Sequence, residues 1–339
     1  MSQPGRIELI DQLRGIAALS VAWFHLTNQY NDWVYSSGSY GWLGVETFFV
    51  ISGFVIPLSL AGDWHRRGAR ALPLFMARRI VRIEPPYLAS VALVVALNFV
   101  AQQVPIFHGR APVLSVSQIL FHAAYLIPFT SYEWLQPVYW TLAFEFAFYL
   151  AVAGLIGFLA GARREPVVAG LALLLWLIAS RTASPLLGLF AMGCAAFRFH
   201  TGRDPWWLTW LTLGSAALAM IFSGALVQAL VGLISAAAIS NPLLLKGITG
   251  RAGQALSGLG TISFSLYLLH VPIGGKIVNL GQRWLVGPTE HLLLSLGSLG
   301  VTLLAATLFW LSVERPCIVA AAALARRSTR GKPDQLGLD

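Results

Sequence analysis

The sequence predicts an all-α fold: a polytopic transmembrane helical bundle of about ten spans with both termini in the cytoplasm. Three observations carry that prediction. Hydrophobic residues make up 57% of the 339-residue chain and charged residues only 11%, far from the soluble balance of about 25% charged. The apolar residues are gathered into runs long enough to cross hydrocarbon. When those runs are threaded alternately through a membrane, nearly all Lys and Arg fall on one side.

In chain order the runs lie near 10–28, 41–60, 85–104, 137–160, 166–181, 185–199, 206–222, 225–242, 260–280 and 291–313. The stretch from Ser115 to Phe129 is too short and interrupted for a span, and reads as an interfacial or re-entrant helix. With the N-terminus inside, the cytoplasmic side collects Arg6, Arg14, the arginines between Arg66 and Arg82, Arg163, Arg164, Arg198, Arg203, Lys246, Arg251 and the basic tail. Only Arg110, Arg181, Lys276 and Arg283 remain outside. The net charge of +9 is thus accounted for by topology and contact with membrane lipid, and calls for no nucleic-acid partner. The N-terminal residues lack the pattern of a cleaved signal peptide, so the first span is expected to stay attached. Cys194 and Cys317 both fall toward the cytoplasmic side, where no disulfide is expected, and no metal-ligand pattern is present.

The first span holds two ionisable side chains, Arg14 and His25. At about 100° per residue, eleven steps turn a helix through roughly three turns plus 20°, so both share one face. The same steps rise about 16 Å, roughly half a hydrocarbon core. A neutral imidazole at that depth can take a proton from a hydroxyl and return it; a packing histidine is the competing reading. Arg14 needs a partner inside the membrane, and Asp11, one turn earlier, offers a structural one. The second span carries Glu46 near its outer end, where it could meet His25 and orient it, and the small pair Ser52-Gly53 in mid-span, which permits close packing or leaves room for substrate.

Between the second and third spans the chain is densest in arginine. Arg78 and Arg79 both lie within one helical turn of Arg82, and guanidinium forks at that spacing can grip phosphates, although setting topology would use the same charges. Glu145 sits in an aromatic span and must be partnered or protonated. Tyr267 and His270 share a helical face in the ninth run, with a buried hydrogen-bond anchor the plainer reading of His270.

These segments, in this order, resemble the acyltransferase family 3 membrane proteins over nearly the whole chain. The basic residue and histidine of the first span match Arg14 and His25. An acidic residue followed by paired phenylalanines and Ser-Gly-Phe matches Glu46, Phe48, Phe49, Ser52, Gly53 and Phe54. The cytoplasmic Arg-x-x-Arg matches Arg79 and Arg82. Trp140, Thr141, Leu142 and Glu145 follow a Trp-Ser-Leu-x-x-Glu pattern with threonine in place of serine. Ser263, Leu266, Tyr267 and His270, then Glu314 and Pro316, match the two closing motifs.

The resemblance implies an O-acetyltransferase of a bacterial inner membrane, with residues 1–316 as the transmembrane acyltransferase domain and 317–339 as a basic cytoplasmic tail. It implies acyl transfer from cytoplasmic acyl-CoA, most simply acetyl-CoA, to a hydroxyl of an extracytoplasmic carbohydrate or glycolipid. Arg14, Arg79 and Arg82 would bind the donor phosphates, His25 would act as general base, and Glu46 would orient it. Ser52, Glu145, Tyr267 and His270 are candidates for lining the path or contacting the oxyanion. Relatives with a fused soluble domain pass the group onward, so direct transfer is expected here. The outer stretch 104–136 offers Phe107, Tyr125, Tyr132 and Trp134 for stacking on sugar rings or anchoring at the interface. A transporter of an acylated or anionic solute, and an acyltransferase for a small molecule such as a macrolide, are the alternative readings.

Overall fold

The computed structural model describes residues 7–103 and 115–330; Arg6, Phe107, Arg110 and Lys332 lie outside them. Every described element is helical. The first five are α1 (Glu8–Thr27), α2 (Trp33–Gly38), α3 (Gly44–Arg67), α4 (Ala71–Gln102) and α5 (Val116–Ala123). The middle of the chain forms α6 (Trp140–Leu159), α7 (Glu165–Ala179), α8 (Leu186–His200), α9 (Trp206–Phe222) and α10 (Leu226–Ser240). Then follow α11 (Gly250–Thr261), α12 (Ser263–Leu269), α13 (Lys276–Gly281), α14 (Pro288–Phe309) and α15 (Arg315–Arg330). The ten apolar runs of the sequence coincide with α1, α3, α4, α6 to α10, the α11–α13 group and α14.

Two departures from those runs have physical causes. Helix α4 begins at Ala71 rather than near 85, because its basic first turns continue without a break through Pro85 and Pro86 into the apolar part. The ninth run is not straight. Helix α11 and the segment from Ser263 to Gly281 meet at 56°, and a π-helical turn at His270–Gly275 accommodates Pro272, which has no N–H for the regular ladder. The weak stretch after Ser115 forms only the eight-residue α5 and a 3-10 turn at Ile127–Phe129.

By length and composition, residues 33–102, 140–159 and 288–326 hold helices able to cross a membrane, and the bent pair within 250–281 adds a fourth. Helices α7 to α10 are shorter but apolar. Their outward side chains include Leu173, Trp176, Trp210, Leu211, Phe222, Leu230 and Ile234, all exposed. A surface that apolar suits lipid rather than water, and the chain is an integral membrane protein.

Helix α1 runs through the middle of the bundle, packed by α3, α11, α12 and α14. Its contact with α11 depends on Gly15, where an added Cβ would lie 2.8 Å from the Gly260 nitrogen and 2.6 Å from the Leu256 oxygen. Gln12, fully buried on α1, satisfies both of its polar ends on one residue: Nε2 donates to the Ile248 oxygen at 2.8 Å, and Oε1 accepts from the Ile248 N–H at 2.8 Å. That clamp fixes the chain entering α11, which walls the larger cavity. On the other side α3 meets α8 through Gly53 and Gly193, so the mid-span glycine of the second run serves close packing.

Candidate active site

Two cavities lie at opposite ends of the Arg14–His25 face of α1. The larger, about 990 Å³, is lined by Arg14, Ser52, Arg79, Arg82, Glu145 and Tyr267, together with Tyr149 and Glu314. The smaller, about 310 Å³, is lined by His25 with Asn28, Gln29, Gln136, Lys276 and Asn279. Arg14 and His25, expected to line one path from their shared helical face, line different chambers in the structure.

In the larger cavity, the three arginines from α1 and α4 converge, although more than sixty residues separate them in sequence. None of the ion pairs among the described residues involves Arg14, Arg79 or Arg82. Instead Arg79 donates to Ser59 Oγ at 2.5 Å and lies over the rings of Phe75 and Tyr149, 5.4 and 5.3 Å from their centroids. Its guanidinium is thus positioned by stacking while most of its donors stay uncommitted. Arg78, on the next face, instead approaches Asp63 at 3.6 Å. Glu145 meets the requirement for a partner by accepting from the Tyr149 hydroxyl and from Ser52 Oγ at 3.4 Å. Glu314, delivered by a second π-helical turn at Trp310–Glu314, accepts from Ser265 Oγ at 2.5 Å.

Tyr267 is where the two chambers approach one another. Its ring is 5.7 Å from that of His270, and His270 is 5.1 Å from His25, so a seam of three rings separates the cavities. The hydrogen bonds of that seam fix its proton positions. Tyr267 donates to the Val138 oxygen at 3.0 Å and its oxygen lies 2.7 Å from Thr141 Oγ1. His270 Nδ1 faces the Leu266 oxygen at 3.1 Å, an acceptor only, so Nδ1 carries the proton. Nε2 of His270 is then a bare acceptor, buried and without a partner. Neither Tyr267 nor neutral His270 holds a free donor for an oxyanion.

Glu46 is not where an orienting carboxylate would be. It is buried, its Oε2 has no hydrogen-bond partner, and it lines neither cavity. No hydrogen bond joins it to His25, whose ring neighbours are Phe24 and His270.

Among the described residues of the outer stretch, Tyr125 and His122 are enclosed. Tyr125 is buried, stacked between Tyr87 and Phe146 at 5.1 Å from each, so it cannot stack on a sugar. Beside it His122 is fully buried: Leu135 N–H donates to Nε2 at 3.2 Å, and Nδ1 lies 3.0 Å from the Tyr87 hydroxyl. Burial pulls its pKa down to about 4.

Comparison with known proteins gives the family. The family model described as an acyltransferase domain matches residues 7–311, nearly the whole chain. The chain belongs to acyltransferase family 3. This acyltransferase is 28% identical to nodulation protein 10 of Rhizobium leguminosarum bv. viciae over 91% of its own length and 92% of that protein. It is 30% identical to the O-acetyltransferase OatA of Staphylococcus aureus over 47% of its length, which is 26% of OatA. A putative O-acetyltransferase of the same organism is 30% identical over 42% of the chain and 23% of that protein. No solved structure matches it.

Two residues of the acyltransferase's larger cavity went unassigned in the sequence. Tyr149 follows Glu145 by one turn, so its hydrogen bond was available from spacing. Glu314 was visible only as a motif; that it reaches the cavity depends on the π-helical turn.

Proposed function

We propose that this acyltransferase moves an acetyl group from cytoplasmic acetyl-CoA to a carbohydrate hydroxyl on the outer side of a bacterial inner membrane, across ten spans with both termini inside. The observation that carries the reading is the division of the Arg14–His25 face between a cationic chamber and a second chamber lined by His25 and amides. Arg14, Arg79 and Arg82 would hold the nucleotide and pyrophosphate of the donor, as unpaired guanidiniums do. The larger cavity, about 990 Å³, is at the upper end of ordinary ligand pockets, as a donor this long requires. The seam is closed, so the thioester arm would pass when the Tyr267 or His270 ring turns aside.

His25 takes the proton of the acceptor hydroxyl as that oxygen attacks the thioester carbonyl. The new C–O bond forms, the C–S bond breaks, and the proton passes to the departing thiolate, giving the ester and the free thiol. His270 serves this step as an acceptor: its unpartnered Nε2 offers a lone pair to the charged ring that His25 becomes.

Proteoliposomes holding the purified protein test the sidedness. With labelled acetyl-CoA on one face and a cell-envelope glycan fraction on the other, ester-linked label should appear on the glycan with an equal release of free CoA. Label crossing the membrane without CoA release would instead support transport.

A further inference from the structure

The smaller cavity carries a feature that acyl transfer to a plain sugar does not need. Lys276 opens α13 directly after the π-helical turn, and among the described residues it is the one Lys or Arg lining the His25 chamber. One of its protons is donated to Asn98 Oδ1 at 2.9 Å. None of the ion pairs among the described residues includes Lys276. An ammonium group half-buried at the outer end of a helix bundle is held best when something of opposite charge comes to it. The rest of the lining is neutral: the amides of Asn28, Gln29, Gln136 and Asn279, which suit hydroxyl and amide groups of a sugar. The Gln29 and Asn279 oxygens share Gln282 Nε2, at 3.0 and 3.4 Å, whereas the Asn28 and Gln136 amides bond to no other side chain.

We infer that this chamber is an acceptor site for an anionic carbohydrate, in which Lys276 pairs with a carboxylate or phosphate of the acceptor while His25 addresses a neighbouring hydroxyl. The inference rests on the reading of the His25 chamber as the acceptor side. The π-helical turn gives it a structural logic. Residues His270 to Gly275 set the His270 ring against His25 at one end and present Lys276 to the same chamber at the other. One irregular turn thereby fixes the distance between the charged subsite and the base. Uronic acids and other acidic sugars supply the carboxylate; lipid-linked sugars or teichoic-type polymers supply the phosphate.

Membrane vesicles from cells producing the full chain, given labelled acetyl-CoA, provide the test with their own acceptor. The labelled product should be retained on an anion exchanger. Carbodiimide reduction abolishes retention if the charge is a carboxylate, and phosphatase or mild acid does so if it is a phosphate. Lys276→Gln should raise the acceptor KM at least about tenfold, the loss expected for one charge-assisted contact, with kcat and the donor KM held. Lys276→Arg should restore most of it. A neutral labelled product, or a Lys276→Gln protein with unchanged acceptor KM, overturns the anionic subsite while leaving acyl transfer standing. Absence of labelled product in wild-type vesicles overturns the acyl-transfer reading itself. If Lys276→Gln fails to accumulate, the charge of the wild-type product decides alone.

Discussion

Replacing Gly53 with alanine should loosen the seam between α3 and α8, and the size of the effect follows from the geometry. A Cβ built on Gly53 lies 2.9 Å from the Gly193 Cα and closer still to the Phe190 carbonyl oxygen, whereas ordinary contact begins at 3.4 Å. The helices must part by at least half an ångström. Both obstructing groups are backbone, so no side chain can turn away, and overpacking of this kind costs about 1–3 kcal/mol. Alanine returns about 0.5–1 kcal/mol of helix propensity, which leaves a net loss of about 0–2.5 kcal/mol, centred slightly above 1. Gly154 on α6 supplies the control, since a Cβ there meets nothing within 4 Å. Thermal unfolding in detergent should therefore rank Gly154→Ala at or above the wild type and Gly53→Ala clearly below it. A Gly53→Ala midpoint equal to that of Gly154→Ala would refute the packing argument. Because α3 also carries Ser52 and Glu46, the same variant should lose acyl transfer in parallel with stability.

Three further outcomes are expected. Arg82→Ala, and separately Arg79→Ala, should raise the KM for acetyl-CoA by about tenfold or more without moving the acceptor KM, measured by CoA release, because each removes a charged phosphate contact. Tyr149→Phe keeps the ring under Arg79 but deletes the hydroxyl that Glu145 accepts from; a stability loss of about 1–3 kcal/mol in thermal unfolding should follow. Burial lowers the pKa of His122 to about 4, so between about 6.5 and 4 the unfolded chain binds the extra proton. Stability should fall as pH drops through that window, and a His122→Gln protein should show a flatter profile than the wild type.

Much of the bundle was legible in the chain because lipid imposes a local rule: each span must be an apolar helix satisfying its own backbone. The shared face of Arg14 and His25 was equally local, a matter of eleven residues on one helix. The convergence of Arg79 and Arg82 with Arg14 depended on tertiary packing, and along the chain Asp11 offered Arg14 an equally local partner. Less of the rest could be read. Glu46 and His25 each lie toward the outer ends of adjacent spans, but the carboxylate makes no hydrogen bond to His25 and lines neither cavity, and no spacing within one helix reveals rotation between two. The π-helical turns at His270 and Trp310 shift every later residue around its axis, which is why the roles of Lys276 and Glu314 emerge only in three dimensions. Tyr125 looked available for stacking because composition marks aromatics at an outer surface, whereas burial between Tyr87 and Phe146 is a long-range outcome.

The central claim is that His25, in the smaller chamber beside the ring seam, is the base, and His25→Ala tests it most directly. In proteoliposomes at saturating acetyl-CoA and acceptor, the account predicts that ester formation falls by about 10²- to 10⁴-fold while the donor KM, set at the arginines in the other chamber, stays unchanged. A His25→Ala protein that turns over at the wild-type rate would contradict it.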